Sequence, residues 1–377
     1  MSLVLNGTTG ITNLPSINSG QIGGSRNKII NGAMVIDQRN AGAVVTPGSG
    51  GYTLDRWQAL QSAASKFSVQ QTPSATETGY AARIAAGFTS YLAVTSLSAY
   101  SVSSSDYYSI RQSIEGFNIS DLAWGTSSAK TITISALVYS SLTGTFGGSI
   151  QNSANNYNYP FSYSIPVANT WTQISVTIAG PTSGAFLTTN AVGFIVNFGL
   201  GVGSTFSGTA GTWAATNVFS ATGAVSVVGT SGATFYITGV QLEKGSTATE
   251  FEHRSFGEEL ALCQRYYEKT YDYDVVAGTT TYVGGSFHGG GNTTRTTGYI
   301  AGGNNNFRTP KRDNPTIVLY DQAGNSGKVQ RYELGVSGTE NSSAAVSYAA
   351  HRNFMCYSNT GSNATGIMFH FTAESEL

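Results

Sequence analysis

From Leu122 to Leu242 the chain carries one charged residue, Lys130, and no acid at all. Within that stretch apolar and small polar residues alternate along Thr131–Tyr139, Trp171–Ile178, Gly193–Leu200 and Ala233–Val240. A period of two turns successive side chains to opposite faces of a strand. Each run therefore places one face in a core and leaves the other, bearing Ser and Thr, outside. Clusters of Gly, Asn, Pro and Ser between the runs supply turn conformations. Strands of this length at this spacing predict an antiparallel sandwich or jelly roll. All four tryptophans, Trp57, Trp124, Trp171 and Trp213, fall in this first part, as one large core requires.

Composition narrows what such a fold can do. Only 10% of the 377 residues are charged, against about 25% in an ordinary soluble domain. With 21 Tyr, 18 Phe and 4 Trp, the chain has too many large anchors to stay disordered. A net charge of −1 leaves no electrostatic footprint for a nucleic-acid backbone. No apolar run is long enough to span a bilayer, so membrane insertion is not expected. The start, Met1-Ser-Leu-Val-Leu-Asn-Gly-Thr-Thr, has neither the basic segment nor the apolar stretch of a signal peptide, which predicts synthesis in a cytoplasm without export. Cys263 and Cys356 alone make neither a disulfide framework nor a zinc site, and are expected as two buried free thiols. No cofactor and no metal site are expected.

One helix stands out. Ser255-Phe-Gly-Glu258 has the form of a capping box. Phe256, Leu260, Cys263 and Tyr267 then form a stripe at helical spacing, and Leu262 and Tyr266 extend apolar surface to another side. A helix of about a dozen residues with two apolar faces needs more than one neighbour. It packs either between two domains of one chain or against its own copies on a symmetry axis. In the second case Phe256, Leu260, Cys263 and Tyr267 are the interface residues. Beyond Lys269 short apolar runs return at 271–276, 281–283, 297–300, 316–320, 328–334, 345–349, 353–357 and 366–373, with seven Lys or Arg and eight Asp or Glu. The predicted organisation is an uncharged arm at 1–25, a jelly-roll domain at 26–254, a connecting helix at 255–269 and a smaller C-terminal β-sandwich at 270–377. The arm has too little apolar mass to fold alone and reads as a docking segment.

Sites for chemistry are sparse. Cleaving a polysaccharide calls for two carboxylates about 5–10 Å apart across a cleft, and residues 122–242 contain none. The earlier acids, Asp37, Asp55, Glu77, Asp106, Glu115 and Asp121, could meet in space. Asp55 in Leu54-Asp-Arg-Trp57 is expected to pair with Arg56 or a turn backbone. There is no Gly-x-Ser-x-Gly elbow, no His-Glu-x-x-His and no phosphate-binding loop. His253, His288, His351 and His370 are scattered, and His370 is expected on the polar face of a strand. Two permissive segments, Gly289–Gly291 and Gly302–Asn306, read first as turns. Their company suggests more: Phe287 and His288 precede one, and Asn304, Asn305, Phe307 and Arg308 lie in or after the other. Aromatic rings pack on the apolar face of a pyranose and amides fork to its hydroxyls. Asn156, Tyr157 and Tyr159 form a similar group in the first domain.

Several segments carry a resemblance. Arg26–Asn40, Tyr52–Trp57, Arg111-Gln-Ser-Ile-Glu-Gly116, Phe235–Gly245 and Glu250–Glu268 look like a domain that recurs in tail fibre and other structural proteins of tailed phages and prophages. The match covers about residues 26–269. Thr316–Asn325 and Phe369–Leu377 are similar to terminal knob domains of such fibres. The resemblance implies a carbohydrate-binding-module-like jelly roll, a helix and a distal β-sandwich, assembled as a homotrimer on the virion. It implies no catalytic residues. On this reading residues 1–25 would dock on a tail or baseplate protein, the jelly roll would be a shaft-proximal module, and the C-terminal domain at 270–377 would contact host-surface glycan. A purely structural tail, baseplate or decoration role is the alternative, and a polysaccharide depolymerase stands third.

Overall fold

The computed structural model describes residues 16–17, 20–21, 25–72, 77–289, 299–332, 341–359 and 366–377. The expected docking arm at 1–25 lies almost wholly outside them. Two-residue strands β1 (Ser16–Ile17) and β2 (Gly20–Gln21) pair antiparallel. The first sandwich opens with β3 (Tyr52–Leu54), β4 (Trp57–Gln61) and β5 (Phe67–Thr72). A short helix, α1 (Tyr80–Ala85), leads to β6 (Tyr91–Ser96) and β7 (Tyr107–Glu115). After a 3-10 turn at Gly116–Leu122 come β8 (Ile132–Ser140), β9 (Gly144–Asn152), β10 (Asn158–Ile165), β11 (Thr172–Ile178) and β12 (Val192–Val202). β13 (Ser207–Gly208) and β14 (Ser220–Ala221) make a parallel bridge, and β15 (Thr234–Lys244) completes the unit.

These strands form two antiparallel layers. One has the order β10-β9-β12-β7-β4-β3, the other β11-β8-β15-β6-β5. The four alternating runs of the charge-poor stretch become β8, β11, β12 and β15, but only β11 keeps the expected open face; in β8, β12 and β15 the Ser- and Thr-bearing face is covered as well, and almost every residue is buried. Ile132, Ile134, Ala136 and Val138 of β8 face Phe194, Val196, Phe198 and Leu200 of β12 in one buried cluster. Full burial of each such side chain contributes about 1.5–3 kcal/mol. Within the six-stranded layer Gly148 of β9 is crowded by both neighbouring strands: an added Cβ would stand 2.3 Å from the Asn197 carbonyl oxygen of β12 and 2.4 Å from the Phe161 ring of β10. Trp57 and Trp124 lie in this core, with Trp213 packed against it. Trp171 belongs instead to a second cluster with Tyr91, Leu137 and Tyr139.

The predicted helix is α2 (Phe256–Gln264), and the Ser255 hydroxyl accepts from the Glu258 amide at 3.3 Å. It stops after nine residues, so Tyr267 falls not on the helix but on strand β16 (Tyr267–Lys269). The chain turns there because Tyr266 is drawn inward, where its hydroxyl donates to Glu115 at 2.6 Å. Then follow β17 (Ser286–Gly289), β18 (Tyr299–Asn306), β19 (Thr316–Tyr320), β20 (Lys328–Tyr332), β21 (Asn341–Ser347), β22 (Asn353–Asn359) and β23 (Gly366–Glu374). β23 is the shared strand: its first half runs between β17 and β20, its second between β16 and β19. A separate core of Phe307, Leu319, Val329, Phe354, Cys356, Ile367, Phe369 and Phe371 packs here.

Several expectations are corrected. Residues 271–276 and 281–283 are not strands. The first instead curls over Lys269, whose ammonium donates to the Tyr273 and Val275 carbonyls. Gly302–Asn306 is not a turn but part of β18, where a bulge between Gly302 and Asn305 absorbs one extra residue opposite β22. His370 is not on a polar face: β23 is flanked by strands on both edges and covered on both sides, and the imidazole is fully buried, stacked on Tyr271 at 4.0 Å. Of the two partners expected for Asp55, the turn backbone is the one found: it accepts from the Gln38 backbone amide, and from the Gln38 side chain, while Arg56 turns to Glu376. Both cysteines are buried, as expected.

The two β-rich parts share contacts. Arg265 forks onto Glu115 at 2.6 and 2.9 Å, and Arg312 donates to the carbonyls of Asn190, Ser375 and Glu376. Beside them Ile30, Ile36, Cys263 and Tyr266 make a buried cluster with Val35, Leu260, Leu262, Tyr273 and Leu377 around it. Helix α2 thus finds its neighbours within its own chain.

Candidate functional site

The outer face of the six-stranded layer carries an unusual row. Register places Tyr52 opposite Gln58, Gln58 opposite Arg111, Arg111 opposite Asn197 and Asn197 opposite Ser149. Five adjacent strands, β3, β4, β7, β12 and β9, thus contribute one polar residue each. All point away from the core because Trp57, Ile110, Val196 and Ile150 on the same strands point into it.

Arg111 is the centre of the row. Its Nε donates to Gln58 Oε1 at 2.6 Å, and Gln58 is itself fixed through Nε2 on the Gly50 carbonyl at 2.7 Å. On the far side Asn197 donates to Gln151 Oε1 at 2.8 Å and to Ser149 Oγ at 3.1 Å, while its own Oδ1 has no protein donor. Arg39, Arg56, Arg83, Arg254 and Arg265 each meet a carboxylate. Arg111 meets none among the described residues, and its two terminal nitrogens have no protein acceptor. Burial pulls its pKa below the ordinary arginine value, with Tyr52 and Tyr107 acting the other way. A half-buried guanidinium with no counter-charge is costly unless a ligand supplies one. The planar fork matches a carboxylate or phosphate, while the neighbouring amides are buried and bonded to protein groups and serve to hold the row in place.

The tyrosines around Arg111 are held in place. Tyr107 packs against Phe206 at 5.2 Å and Phe219 at 5.0 Å. The Tyr52 ring lies under the Arg39 guanidinium at 4.9 Å, and its hydroxyl donates to the Leu377 carbonyl at 2.9 Å. Tyr52 and Arg111 stand inside two of the segments that carry the family resemblance, but the sequence alone gave no reason to single them out. The usable signal was an arginine on the outward phase of Tyr107-Tyr-Ser-Ile-Arg-Gln-Ser-Ile, in a layer otherwise almost free of charge.

The residues expected from sequence fall elsewhere. Asn156, Tyr157 and Tyr159 do come together, but their rings are taken up by one another and by Trp213: Tyr157 stacks on it at 5.5 Å and 8°, and Tyr159 leans on it at 5.3 Å. Phe307 is turned into the C-terminal core, stacked on Phe354 at 5.8 Å. Asn305 is buried, Asn304 is exposed, and exposed Arg308 gives its backbone amide to Glu268. Phe287 and His288 lie on β17 opposite Met368 and Ile367, and their side chains, like residues 290–298, lie outside the described residues. Of the helix stripe, Cys263 and Tyr267 are buried within the chain, Leu260 is half-buried, and Phe256 is exposed.

The six early acids all have protein partners. Asp37 accepts from the Asn40 and Gly42 amides, Glu77 from Arg83, Asp121 from Lys28 and Lys244, and Glu115 from Arg265 and Tyr266. Burial pushes Asp55 up to about 6. Burial acts the same way on Asp106, but hydrogen bonds from Ser103, Ser62 and Tyr100 outweigh it and hold the carboxyl at about 2. Among the described residues no group of three or more His, Cys, Asp or Glu could hold a metal ion, and no helix is long and apolar enough to cross a membrane.

No protein-family model matches the sequence, and no curated protein matches it significantly. Solved structures overlap with part of the chain. One is the enzymatically active domain of Bacteriophage CBA120 tailspike protein 4, at 13% identity and a TM-score of 0.31, covering 58% of this chain and 21% of that one. Another is the family 11 carbohydrate-binding module of a Clostridium thermocellum cellulosomal cellulase, at 13% identity and 0.27, covering 56% and 98%. A third is a carbohydrate-binding module in complex with β-1,4-galactotriose, at 9% identity and 0.29, covering 58% and 99%. Overlaps at this level say nothing of what this chain binds.

Proposed function

We propose that this chain is a non-enzymatic attachment protein of a phage tail that holds a host-surface glycan, with an acidic unit of that glycan at Arg111. The observation that carries the reading is the half-buried Arg111 guanidinium, without a carboxylate in reach, at the centre of a row of amide and hydroxyl groups. A sugar carboxylate or phosphate would supply the missing counter-charge bidentately, and the adjoining Tyr107 offers a ring contact. The place on a virion is supported by the resemblance over residues 26–269. In the same reading residues 1–25 dock on a tail protein, the chain acts as a homotrimer, and residues 270–377 form the distal knob.

The test is retention of the full chain on immobilised acidic and neutral surface polysaccharides, for the wild type, Arg111→Ala and Arg111→Lys. Binding should fall at least about tenfold in Arg111→Ala on the acidic material only. It should recover partly in Arg111→Lys, which keeps the charge and loses the planar fork. A purely structural tail role predicts background retention for all three proteins. Retention that is strong and indifferent to Arg111 would move recognition to another surface.

A further inference from the structure

The outer face of the opposite, five-stranded layer is only half covered. Residues 77–88 lie over the end that buries Tyr91, Tyr139 and Trp171. Beside that cover a cavity of about 560 Å³ remains open, lined among others by Phe88, Ser135, Gln173, Glu250, Phe251 and His253. Its size falls in the range of about 300–1,000 Å³ of small-molecule sites.

The backbone builds this cavity. β15 bulges between Thr238 and Gln241, and Gly239 there has φ of +60°. Any Cβ at Gly239 would stand 2.4 Å from the Phe88 ring, so the ring lies directly on the peptide. Gly87, with φ of +88°, likewise leaves room for His253, whose Nε2 would be 2.9 Å from a Cβ. Phe88, Phe251 and His253 then lock together, with centroids 4.9–5.5 Å apart. Against this aromatic wall stand polar groups with little to do: Gln173 reaches only the Ile174 carbonyl at 3.4 Å. No described protein group bonds the Ser135 hydroxyl, the Glu250 carboxylate or the His253 ring nitrogens. Thr249 beside them is fully engaged, with its hydroxyl on Glu243 at 2.8 Å.

We infer that this cavity is a second saccharide site, for a neutral sugar unit whose ring packs on the Phe251–His253 wall while its hydroxyls meet Gln173, Ser135 and Glu250. Glu250 accepts from paired hydroxyls and repels an acidic sugar, so the preference is opposite to that at Arg111. The inference stands on this cavity alone. It remains whether or not Arg111 binds glycan.

The experiment is calorimetric titration of the full chain carrying Arg111→Ala, which silences the other face. The probes are neutral di- and trisaccharides of the glucose, galactose, mannose and N-acetylglucosamine series. At least one series should bind, and adding Gln173→Ala should weaken it at least tenfold with no change in thermal unfolding. Gln173 is exposed, so this variant keeps the fold; Glu250→Gln serves as an independent second variant with a smaller loss expected. The inference is overturned if no series binds, if binding survives Gln173→Ala and Glu250→Gln together, or if only a cationic probe such as choline binds. That last result would make the wall a cation cage.

Discussion

Replacing Glu376 by alanine should loosen the contact between the two β-rich parts more than any other single carboxylate removal nearby. Glu376 is 5% exposed and serves two guanidiniums, Arg39 at 3.0 Å and Arg56. Arg56 is 1% exposed and lies over the Tyr266 ring at 3.6 Å. Burial opposes both charges, yet Glu376 holds both pKa values above the ordinary arginine value. Without it Arg56 keeps only the Ser113 carbonyl and the ring. Breaking a buried pair from one side costs about 3–5 kcal/mol, which in a chain of this size lowers Tm by roughly 4–6 °C. Glu374 is the internal control. It also meets Arg39, at 3.3 Å, but its side chain is 43% exposed, so Glu374→Ala should cost about 1 kcal/mol or less. Thermal unfolding followed by tryptophan fluorescence reads both, since Trp57 is buried next to Arg56 in the chain. Replacing the whole pair, Arg56→Met with Glu376→Leu, should restore part of the loss, because no unpaired charge then stays buried. Equal effects of Glu376→Ala and Glu374→Ala, or a fall under about 2 °C in the former, would refute the reasoning.

Three further outcomes are expected. Asp106 is held at about 2, below its unfolded value of about 3.9. Its contribution to stability is therefore present above pH 4 and lost as pH falls from about 4 towards 2; Asp106→Asn should flatten that part of a Tm–pH curve. Gly148→Ala should destabilise by about 1–3 kcal/mol or more in denaturant titration, since the new methyl meets a carbonyl oxygen and a buried ring. In the native protein a maleimide should leave Cys263 unlabelled at neutral pH, because burial both excludes the reagent and pushes the thiol up; rapid stoichiometric labelling before unfolding would contradict the packing around α2.

The layered β architecture was legible because one face of each strand is dry. Ile132, Ile134, Ala136 and Val138 announce β8 without any knowledge of its partners, and the same holds for β11, β12 and β15. What failed was local reading where tertiary packing decides. Tyr267 continued the helical spacing, yet pairing with β23 and the pull of Glu115 on Tyr266 ended the helix first. Gly302–Asn306 has turn composition but is paired with β22 through a bulge. His370 looked half-exposed because alternation cannot show that a strand is covered on both faces. The row at Arg111 was out of reach for a different reason. Its members lie as far apart as Tyr52 and Asn197, and only strand order and register bring them side by side. The same is true of Phe88, Gln173 and His253 in the opposite cavity. Composition pointed to rings and amides at Tyr157 and Phe307, but those rings are spent on packing.

A crystal structure of the full chain with an acidic oligosaccharide from a bound host polysaccharide tests the central claim most directly. The account predicts a sugar carboxylate or phosphate oxygen about 2.7–2.9 Å from the terminal nitrogens of Arg111, the separation of a charge-assisted hydrogen bond. A saccharide seated only on residues 270–377, with Arg111 untouched, would contradict it.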